Sequence, residues 1–342
     1  MAESNETSSK YSRQTLFPPI GVDGQKRLRR SQVLIVGCGA LGTAQANALV
    51  RAGIGRLRIV DRDFVEESNL QRQMLFDESD ARENLPKAVA AERKLKAING
   101  EVEVEGVVAD FDHHNGEELS EGFEVVLDGT DNFESRFLLN EISIRGEIPW
   151  IYGGAVASNG STMTIVPGRT ACLSCLFPAH PQGLHETCDT VGIISSAASW
   201  TAAVQVAEAL KILLARWDDL HGCFLSYDIW ENRFAKMRVR PNPSCSVCHE
   251  RRFVYLEGRG PTRVSLCGRD SVQIYQRGKR RIDLNELRKR LEKVGPVKAN
   301  GYLLRCILER FELTVFPDGR TIVKGTQDPA LARSLYARYV GG

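Results

Sequence analysis

The segment Val33-Leu-Ile-Val36-Gly37-Cys-Gly39-Ala-Leu-Gly42 has the pattern of a buried strand that turns tightly into a helix. Leu57-Arg-Ile-Val60 predicts a second strand, which ends at Asp61. Glycines in such a turn let the backbone approach phosphates, the helix N-terminus favours anions, and the acidic residue after the second strand binds a ribose. We therefore predict a nucleotide-binding site that includes Gly37, Gly39, Gly42 and Asp61.

The polar segment Ser68-Asn-Leu-Gln-Arg-Gln73 follows that unit and bears on which nucleotide binds. Asn69, Arg72 and Gln73 add a positive charge and hydrogen-bond donors where phosphates would lie. A redox cofactor needs few such groups, so the segment favours a nucleotide whose phosphates take part in the reaction. A nicotinamide oxidoreductase is the alternative from another enzyme class.

Strands alternate with helices through the first half of the chain, which predicts an α/β fold with a doubly wound, mainly parallel sheet of the Rossmann type. Ligands bind at the carboxyl ends of the strands in such sheets. The predicted fourth strand ends in Asp128-Gly-Thr-Asp131-Asn132, so these residues should converge with Gly37 and Asp61. Asp131 is a candidate ligand of Mg²⁺ or of the nucleotide, together with Asn132. The alternative is that the segment caps the helix predicted from Phe133.

Length and composition limit the remaining possibilities. At 342 residues the chain can form one large domain and a small second one. We predict a disordered tail over residues 1–10, a large domain over 11–256 and a small C-terminal α/β domain over 257–342. The net charge of +2 argues against nucleic acid as a partner. No apolar run approaches the ~20 residues of a membrane helix, and no secretory signal is evident, so we expect a cytoplasmic protein.

The cysteines suggest metal ligands, a nucleophile and core residues rather than disulfides, because the chain shows no export signal. Cys172-Leu-Ser-Cys175 and Cys245-Ser-Val-Cys248 can together supply the four thiolates of a closed, structural zinc site, with redox pairs as the alternative. Cys188 lies in polar surroundings before a predicted helix and is either a nucleophile or an incidental exposed thiol. The apolar surroundings of three others predict small buried side chains: Cys38, Cys223 and Cys306.

Together these motifs resemble those of the ThiF/MoeB family, bacterial relatives of the ubiquitin-activating enzymes. The resemblance runs from Tyr11-Ser-Arg-Gln14 to Cys248. Between them lie the matching segments Gly37–Gly42, Asp61-Arg-Asp63, Ser68–Gln73, Leu85-Pro-Lys87, Thr130-Asp-Asn132, both cysteine pairs and Thr187-Cys188. The segments Leu266-Cys-Gly-Arg269 and Phe316-Pro-Asp-Gly-Arg320 also resemble the longer ThiF-type members.

The resemblance implies an adenylyltransferase. Such an enzyme uses ATP and Mg²⁺ to adenylylate the C-terminal glycine of a ubiquitin-like sulfur-carrier protein. By resemblance, Asp61 binds the ribose, Asp131 binds the metal, and the phosphates are bound by Asn69, Arg72 and Lys87. Arg13 is implied to reach the γ-phosphate in the partner subunit, which implies a homodimer.

The resemblance also bears on the sulfur chemistry. Cys188 matches the cysteine with which ThiF-type enzymes form a persulfide or an acyl disulfide with the carrier. A ThiS-like carrier of thiamine thiazole synthesis is favoured, and the MoaD-like small subunit of molybdopterin synthase is the alternative. The C-terminal region shows no rhodanese-like active loop, so a separate donor such as a cysteine desulfurase or sulfurtransferase is expected. A catalytically silent zinc-containing scaffold that binds a ubiquitin-like partner is the non-enzymatic alternative.

Overall fold

The computed structural model describes residues 9–178, 188–260, 271–274, 282–317 and 319–341. The chain packs as two compact units. The larger comprises Met1–Arg82 and Pro86–Pro261, and the smaller comprises Glu83–Leu85 and Thr262–Gly342. Most of the predicted N-terminal tail and the segment Leu266–Arg269 lie outside the described residues.

The larger unit contains one sheet of eight strands in the order β3-β2-β1-β4-β5-β6-β7-β8. The strands are β1 (Gln32–Val36), β2 (Arg56–Val60), β3 (Glu103–Val107), β4 (Val125–Asp128), β5 (Trp150–Val156), β6 (Asn159–Ile165), β7 (Phe224–Asp228) and β8 (Arg233–Met237). Pairings from β3 to β5 are parallel, and those from β5 to β8 are antiparallel. The predicted doubly wound, mainly parallel sheet is confirmed.

Along the chain the helices of the larger unit are α1 (Ser12–Thr15), α2 (Gly21–Leu28), α3 (Ala40–Ala52), α4 (Glu78–Glu83), α5 (Lys87–Ile98), α6 (Gly116–Ser120), α7 (Phe133–Gly146), α8 (Leu173–Leu176), α9 (Cys188–Val191) and α10 (Ser195–Leu213). Helices α3, α5, α7 and α10 pack on this sheet, and each contributes buried apolar side chains to the core. Short 3₁₀ helices occupy Ser9–Tyr11, Glu67–Asn69 and Trp217–Asp219. Small side chains let α3 approach α10 closely, with Leu41 and Ala44 against Ala198 and Ala202.

The register of the central strands positions the candidate site. Val36 at the end of β1 pairs with Val60 on one side and with Asp128 on the other. The residues that follow these strands therefore lie side by side at one edge of the sheet. The strand order reverses direction between β1 and β4, which is where open α/β sheets bind ligands.

The smaller unit has a five-stranded antiparallel sheet in the order β10-β11-β12-β13-β9. Its strands are β9 (Ser271–Ile274), β10 (Val297–Ala299), β11 (Leu304–Leu308), β12 (Phe311–Val315) and β13 (Thr321–Lys324). Helices α11 (Leu284–Leu291) and α12 (Pro329–Tyr339) complete its core, and each begins after an aspartate whose side chain caps it. The predicted α/β composition of this region is confirmed. No helix among the described residues is long and apolar enough to cross a bilayer.

Candidate nucleotide site and cysteine cluster

The glycines of the turn between β1 and α3 have different roles. Gly37 has a φ of +93°, and a Cβ there would lie 2.4 Å from the carbonyl oxygen of Gly129. A Cβ on Gly42 would lie 1.9 Å from the carbonyl oxygen of Gly37. Both positions therefore exclude larger residues for packing reasons. A Cβ on Gly39 would meet only Gln73 Nε2, at 4.0 Å, which leaves open space above the N-terminus of α3.

Asp61 joins the end of β2 to this turn. Its Oδ2 accepts a hydrogen bond from Cys38 N at 2.5 Å, and its Oδ1 accepts one from Asp63 N at 2.7 Å. Burial raises the pKa of the Asp61 carboxyl, and the positive charge of Lys87 opposes that shift. The carboxylate is thus held by backbone N–H groups at the strand end, the position that the sequence predicts for the ribose ligand.

Lys87 is the first residue of α5, and its side chain is buried among carboxylates. Only 8% of the residue is exposed, and Nζ lies 3.4 Å from Asp63 Oδ2. Burial by itself lowers the pKa of Lys87, but Asp63, Asp61 and Asp131 together raise it above its ordinary value. The structure therefore brings the Lys87 ammonium group together with three of the acidic residues at this edge of the sheet, and their charges favour its protonated form.

The segment around Asn69 forms a short 3₁₀ helix. Glu66 caps it, and the Asn69 side chain accepts from the Glu66 backbone in return. The Arg72 guanidinium donates to the carbonyl oxygen of Ser68 at 2.8 Å, and no carboxylate of the described residues pairs with it. Gln73 is 3% exposed, and its Oε1 has no hydrogen-bond partner in the part of the chain that the structure describes. Within the described residues the Arg72 guanidinium thus lacks an acidic partner, and Oε1 of the Gln73 side chain lacks a hydrogen-bond donor beside the open space at Gly39. Both groups are suited to binding a polar ligand.

The acidic segment after β4 divides into a structural part and an exposed part. Asp128 is fully buried, and its carboxylate accepts from Thr130, Gly153 N and Arg136 Nε, the last at 3.2 Å. Asn132 caps α7 by accepting from Ser135 N at 2.9 Å. The alternative considered for this segment, a helix cap, thus describes what Asn132 does here. Asp131 is exposed, and its carboxylate accepts only from Asn132 Nδ2, at 3.3 Å, among the hydrogen bonds of the described residues.

The structure does not bring Arg13 to the other candidates. The Tyr11 hydroxyl accepts from Asn99 Nδ2 at 2.8 Å, and Gln14 Nε2 donates to the carbonyl oxygen of Ala52 at the same distance. These two contacts attach the N-terminal segment to the larger unit. Arg13 between them is exposed, and its guanidinium makes no hydrogen bond or ion pair with the described residues. The Arg13 side chain is therefore exposed to solvent.

The two Cys-x-x-Cys pairs form one cluster. Cys172 Sγ lies 3.6 Å from Cys245 Sγ, and Cys175 Sγ lies 3.5 Å from Cys248 Sγ. All four sulfurs lie within 4.8 Å of one another. Thiolates bound to one tetrahedral zinc at about 2.3 Å are separated by roughly 3.8 Å. The donor set and spacing fit zinc, and a closed four-thiolate site has a structural role.

Of the five remaining cysteines, Cys267 lies outside the described residues and the other four separate into three cases. Cys38 and Cys306 are buried, as predicted. The prediction for Cys223 is wrong, because this residue is only half-buried and its sulfur lies beside the His221 ring. Cys188 is the first residue of α9, and its side chain, like the preceding Thr187, lies outside the described residues.

Sequence reasoning assigned no site role to Asp63 or Arg136. Asp63 is the ion-pair partner of Lys87, and the signal for it was the spacing in Asp61-Arg-Asp63 after a strand. Arg136 neutralises the buried Asp128, so it supports the segment that carries Asp131. An arginine within an apolar helix such as α7 is a usable signal, because a buried charge requires a partner.

This chain is similar to several known proteins. A model of the ThiF family matches residues 11–247. The sulfur carrier protein ThiS adenylyltransferase of Bacillus subtilis is 43% identical over 338 residues, which cover 98% of this chain and 100% of that protein. The SAMP-activating enzyme E1 of Haloferax volcanii is 38% identical over 242 residues, covering 70% of this chain and 88% of that protein.

Solved structures give the same fold. E. coli MccB, crystallised with ATP, superimposes with a TM-score of 0.60 at 23% sequence identity. The match covers 72% of this chain and 76% of that one. At this identity the likeness concerns the fold alone.

Proposed function

Because this chain belongs to the ThiF family, we propose that it adenylylates the C-terminal glycine of a ubiquitin-like sulfur-carrier protein of the ThiS type. The observation that carries the proposal is the likeness to the Bacillus subtilis ThiS adenylyltransferase, which extends over the smaller unit as well as the larger one. A nicotinamide oxidoreductase would share only the glycine turn and Asp61 with this chain.

The reaction joins two anions. A carboxylate oxygen of the carrier's terminal glycine attacks the α-phosphorus of ATP, and the bond from that phosphorus to the bridging oxygen breaks. Pyrophosphate leaves with the electron pair, and an acyl adenylate remains. Fixed positive charges reduce the repulsion between the reactants and stabilise charge on the departing phosphates. The positively charged Arg72 and Lys87 are suited to this role because they lie on segments that flank the turn.

Each remaining candidate has a proposed contact with the nucleotide. Asp61 binds the ribose, Gly39 leaves room for the phosphates, and Asn69 binds them. Gln73 and Asn132 line the nucleotide site. Asp131 offers an exposed carboxylate near Lys87 and would hold Mg²⁺, which offsets phosphate charge when bound.

Arg13 acts in trans in this proposal. Its guanidinium is exposed and unpaired within the described residues, while Tyr11 and Gln14 fix the backbone on either side. The protein forms a homodimer in this proposal, and Arg13 of one subunit reaches the γ-phosphate that the other subunit binds. The exposed Arg13 guanidinium then has a role.

Sulfur transfer follows adenylylation. Cys188 would form a persulfide or an acyl disulfide with the activated carrier, and a separate cysteine desulfurase or sulfurtransferase would supply the sulfur. The cysteine cluster would bind zinc and hold Cys172 and Cys175 to Cys245 and Cys248 without taking part in the reaction.

Intact-mass measurement of the carrier tests the proposal. After incubation with the enzyme, ATP and Mg²⁺, a ThiS-type carrier should gain the mass of one adenylyl group. A matched carrier that lacks its terminal glycine should gain nothing. Adenylylation of a MoaD-type carrier alone would replace the proposed substrate, and adenylylation of neither would contradict the proposed function.

A further inference from the structure

A second group of reactive side chains lies in the larger unit, apart from every residue assigned to the nucleotide site. Cys223 precedes β7, and its Sγ lies 3.7 Å from His221 Nδ1. The other ring nitrogen of His221, Nε2, lies 3.6 Å from Glu208 Oε2 on α10. A thiol, an imidazole and a carboxylate are thus arranged in that order, which is the arrangement that activates nucleophiles.

Hydrogen bonds assign the tautomer of His221. The backbone N–H of Cys223 donates to Nδ1 at 3.3 Å, so Nδ1 carries a lone pair and the ring proton is on Nε2. Nε2 faces Glu208 and the Thr164 hydroxyl, the latter at 3.4 Å. The single lone pair of Nδ1 thus faces both the Cys223 backbone N–H and the Cys223 sulfur, and a proton passed from the thiol would displace the backbone contact.

The carboxylate behind the imidazole is fixed in place. Glu208 is 1% exposed, and it accepts from Thr164 Oγ1 at 2.9 Å and from His221 N at 3.1 Å. Lys211 Nζ donates to its other oxygen at 2.6 Å. Because Glu208 cannot swing away, it holds the ring orientation and stabilises the imidazolium that would form on proton transfer.

The charged groups around the pair come from two elements. Glu208 and Lys211 face it from α10, and Lys236 faces it from β8. Burial lowers the pKa of His221, partly opposed by Glu208, so the ring is a neutral base at neutral pH. Burial raises the pKa of the Cys223 thiol, partly opposed by Lys236, so the resting sulfur keeps its proton. Reaction therefore requires the proton to pass to His221.

A groove lies beside His221 and Glu208. It has a volume of about 300 Å³ and is lined by His221, Glu208 and Lys211 together with the apolar Trp200 and Leu225. Cys223 itself is half-buried rather than enclosed. Cys223 does not itself line the groove, and its own partial exposure is what leaves it accessible to a small or flexible donor.

We propose that Cys223 accepts sulfane sulfur from a persulfide. His221 takes the thiol proton, and the Cys223 sulfur attacks the outer sulfur of R–S–SH. The S–S bond of the donor breaks, the electron pair leaves with R–S⁻, and this thiolate takes the proton from His221. The products are a Cys223 persulfide and R–SH, so no oxidant or reductant is needed. The inference rests on the proposed function, because a sulfur-carrier enzyme is where such sulfur has a use.

Site-resolved mass spectrometry tests the proposal with the full-length protein and glutathione persulfide as the probe. After a timed exposure, alkylation and digestion, the peptide that contains Cys223 should carry one extra sulfur atom. In His221→Gln the rate of uptake should fall about tenfold or more, since positioned acid–base groups contribute at least that much. The matched control is His249→Gln, which changes an exposed histidine and should leave the rate unchanged.

The pH dependence of the rate of sulfur uptake shows whether His221 assists as a base or Cys223 reacts only because it is exposed. The wild-type rate should rise through the lowered pKa of His221 and then level off. In His221→Gln it should keep rising through the raised pKa of the thiol. Glu208→Gln, which preserves size at a buried position, provides a second variant with the expected intermediate loss if His221→Gln does not fold.

Sulfur uptake is measured without ATP or carrier, so its outcome is independent of the adenylylation assay. Failure of adenylylation with normal uptake would reject the proposed function and leave Cys223 as a sulfur acceptor without an assigned carrier. A wild-type protein whose Cys223 gains no sulfur, or gains it equally fast in His221→Gln and His249→Gln, would overturn the inference.

Discussion

Nζ of the buried Lys87 lies 3.4 Å from Oδ2 of the partly exposed Asp63, beside the carboxyl end of β2. The ion pair keeps the ammonium group charged where burial alone would favour its neutral form. Asp63 thus positions the cation that is proposed to bind phosphate. A negatively charged ligand can replace Asp63 as the partner of Lys87, because the buried ammonium group then still has an anion beside it.

Replacing Lys87 tests its proposed role directly. Lys87→Met should reduce carrier adenylylation by about 10²-fold or more, because a fixed charge that stabilises the departing phosphates is lost. Lys96→Met on the same helix is the matched control, since Lys96 forms only a surface ion pair with Glu92. Equal rates for the two variants in an initial-rate assay would show that Lys87 has no part in the reaction.

Two glycines of the turn after β1 should differ in their effects when replaced, one on folding and the other on ATP binding. Gly42→Ala should lower the Tm, because its Cβ would overlap the backbone of Gly37. Gly39→Ala should leave the Tm nearly unchanged and raise the KM for ATP, since its Cβ enters open space meant for phosphates. Thermal unfolding and ATP titration measure the two effects. A clearly lowered Tm of Gly39→Ala would show that Gly39 is required for packing and not for ATP binding.

Zinc content tests the cysteine cluster. Elemental analysis of the purified protein should find about one zinc per chain, and Cys245→Ser should lose the metal and lower the Tm by several degrees. Cys223→Ser changes a cysteine outside the cluster and should retain zinc. Protein purified without chelators that contains no zinc would exclude the metal site.

The Arg136–Asp128 pair has a predictable pH dependence. Arg136→Met should lower the free energy of unfolding by about 3–5 kcal/mol, because it leaves a buried carboxylate without its cation. Burial raises the pKa of Asp128, opposed by Arg136, so the variant should raise that pKa further. The folded variant then holds a proton that the unfolded chain has released, and its stability falls as pH rises through the raised pKa. Urea titrations that show no such fall would contradict this.

Cys188 is predicted to act after adenylylation. Cys188→Ala should form the carrier adenylate at the normal rate and fail to form a covalent adduct with the carrier, as seen by non-reducing gel and intact mass. Loss of adenylation itself would show that this residue has been misassigned. An unchanged adduct would move the covalent role to another thiol, for which Cys223 is the candidate.

Much of the larger unit could be predicted from local sequence signals. The apolar run Val33–Val36, the glycines after it and the acidic strand ends follow from short-range rules of packing and turn geometry. The motifs identified the ThiF family, and the family match confirms that membership. The four cysteines of the two Cys-x-x-Cys pairs were predictable as metal ligands because this spacing is specific, and they do form one cluster.

Other features depend on tertiary packing that a single sequence does not reveal. Asp128 and Asp131 look equivalent in sequence, yet only Asp128 meets the buried Arg136. The environment of Cys223 depends on Glu208, which α10 brings from a distant part of the sequence. Arg13 does not join the other candidates within one chain, and its action on a second subunit stays a prediction.

Carrier-dependent ATP–pyrophosphate exchange tests the central claim most directly. Labelled pyrophosphate should enter ATP only when enzyme, Mg²⁺ and a ThiS-type carrier with an intact terminal glycine are all present. Exchange should fall to background when that glycine is removed. No exchange with an intact ThiS-type carrier, under conditions where the protein binds both ATP and the carrier, would contradict the assignment of this chain as a sulfur-carrier adenylyltransferase.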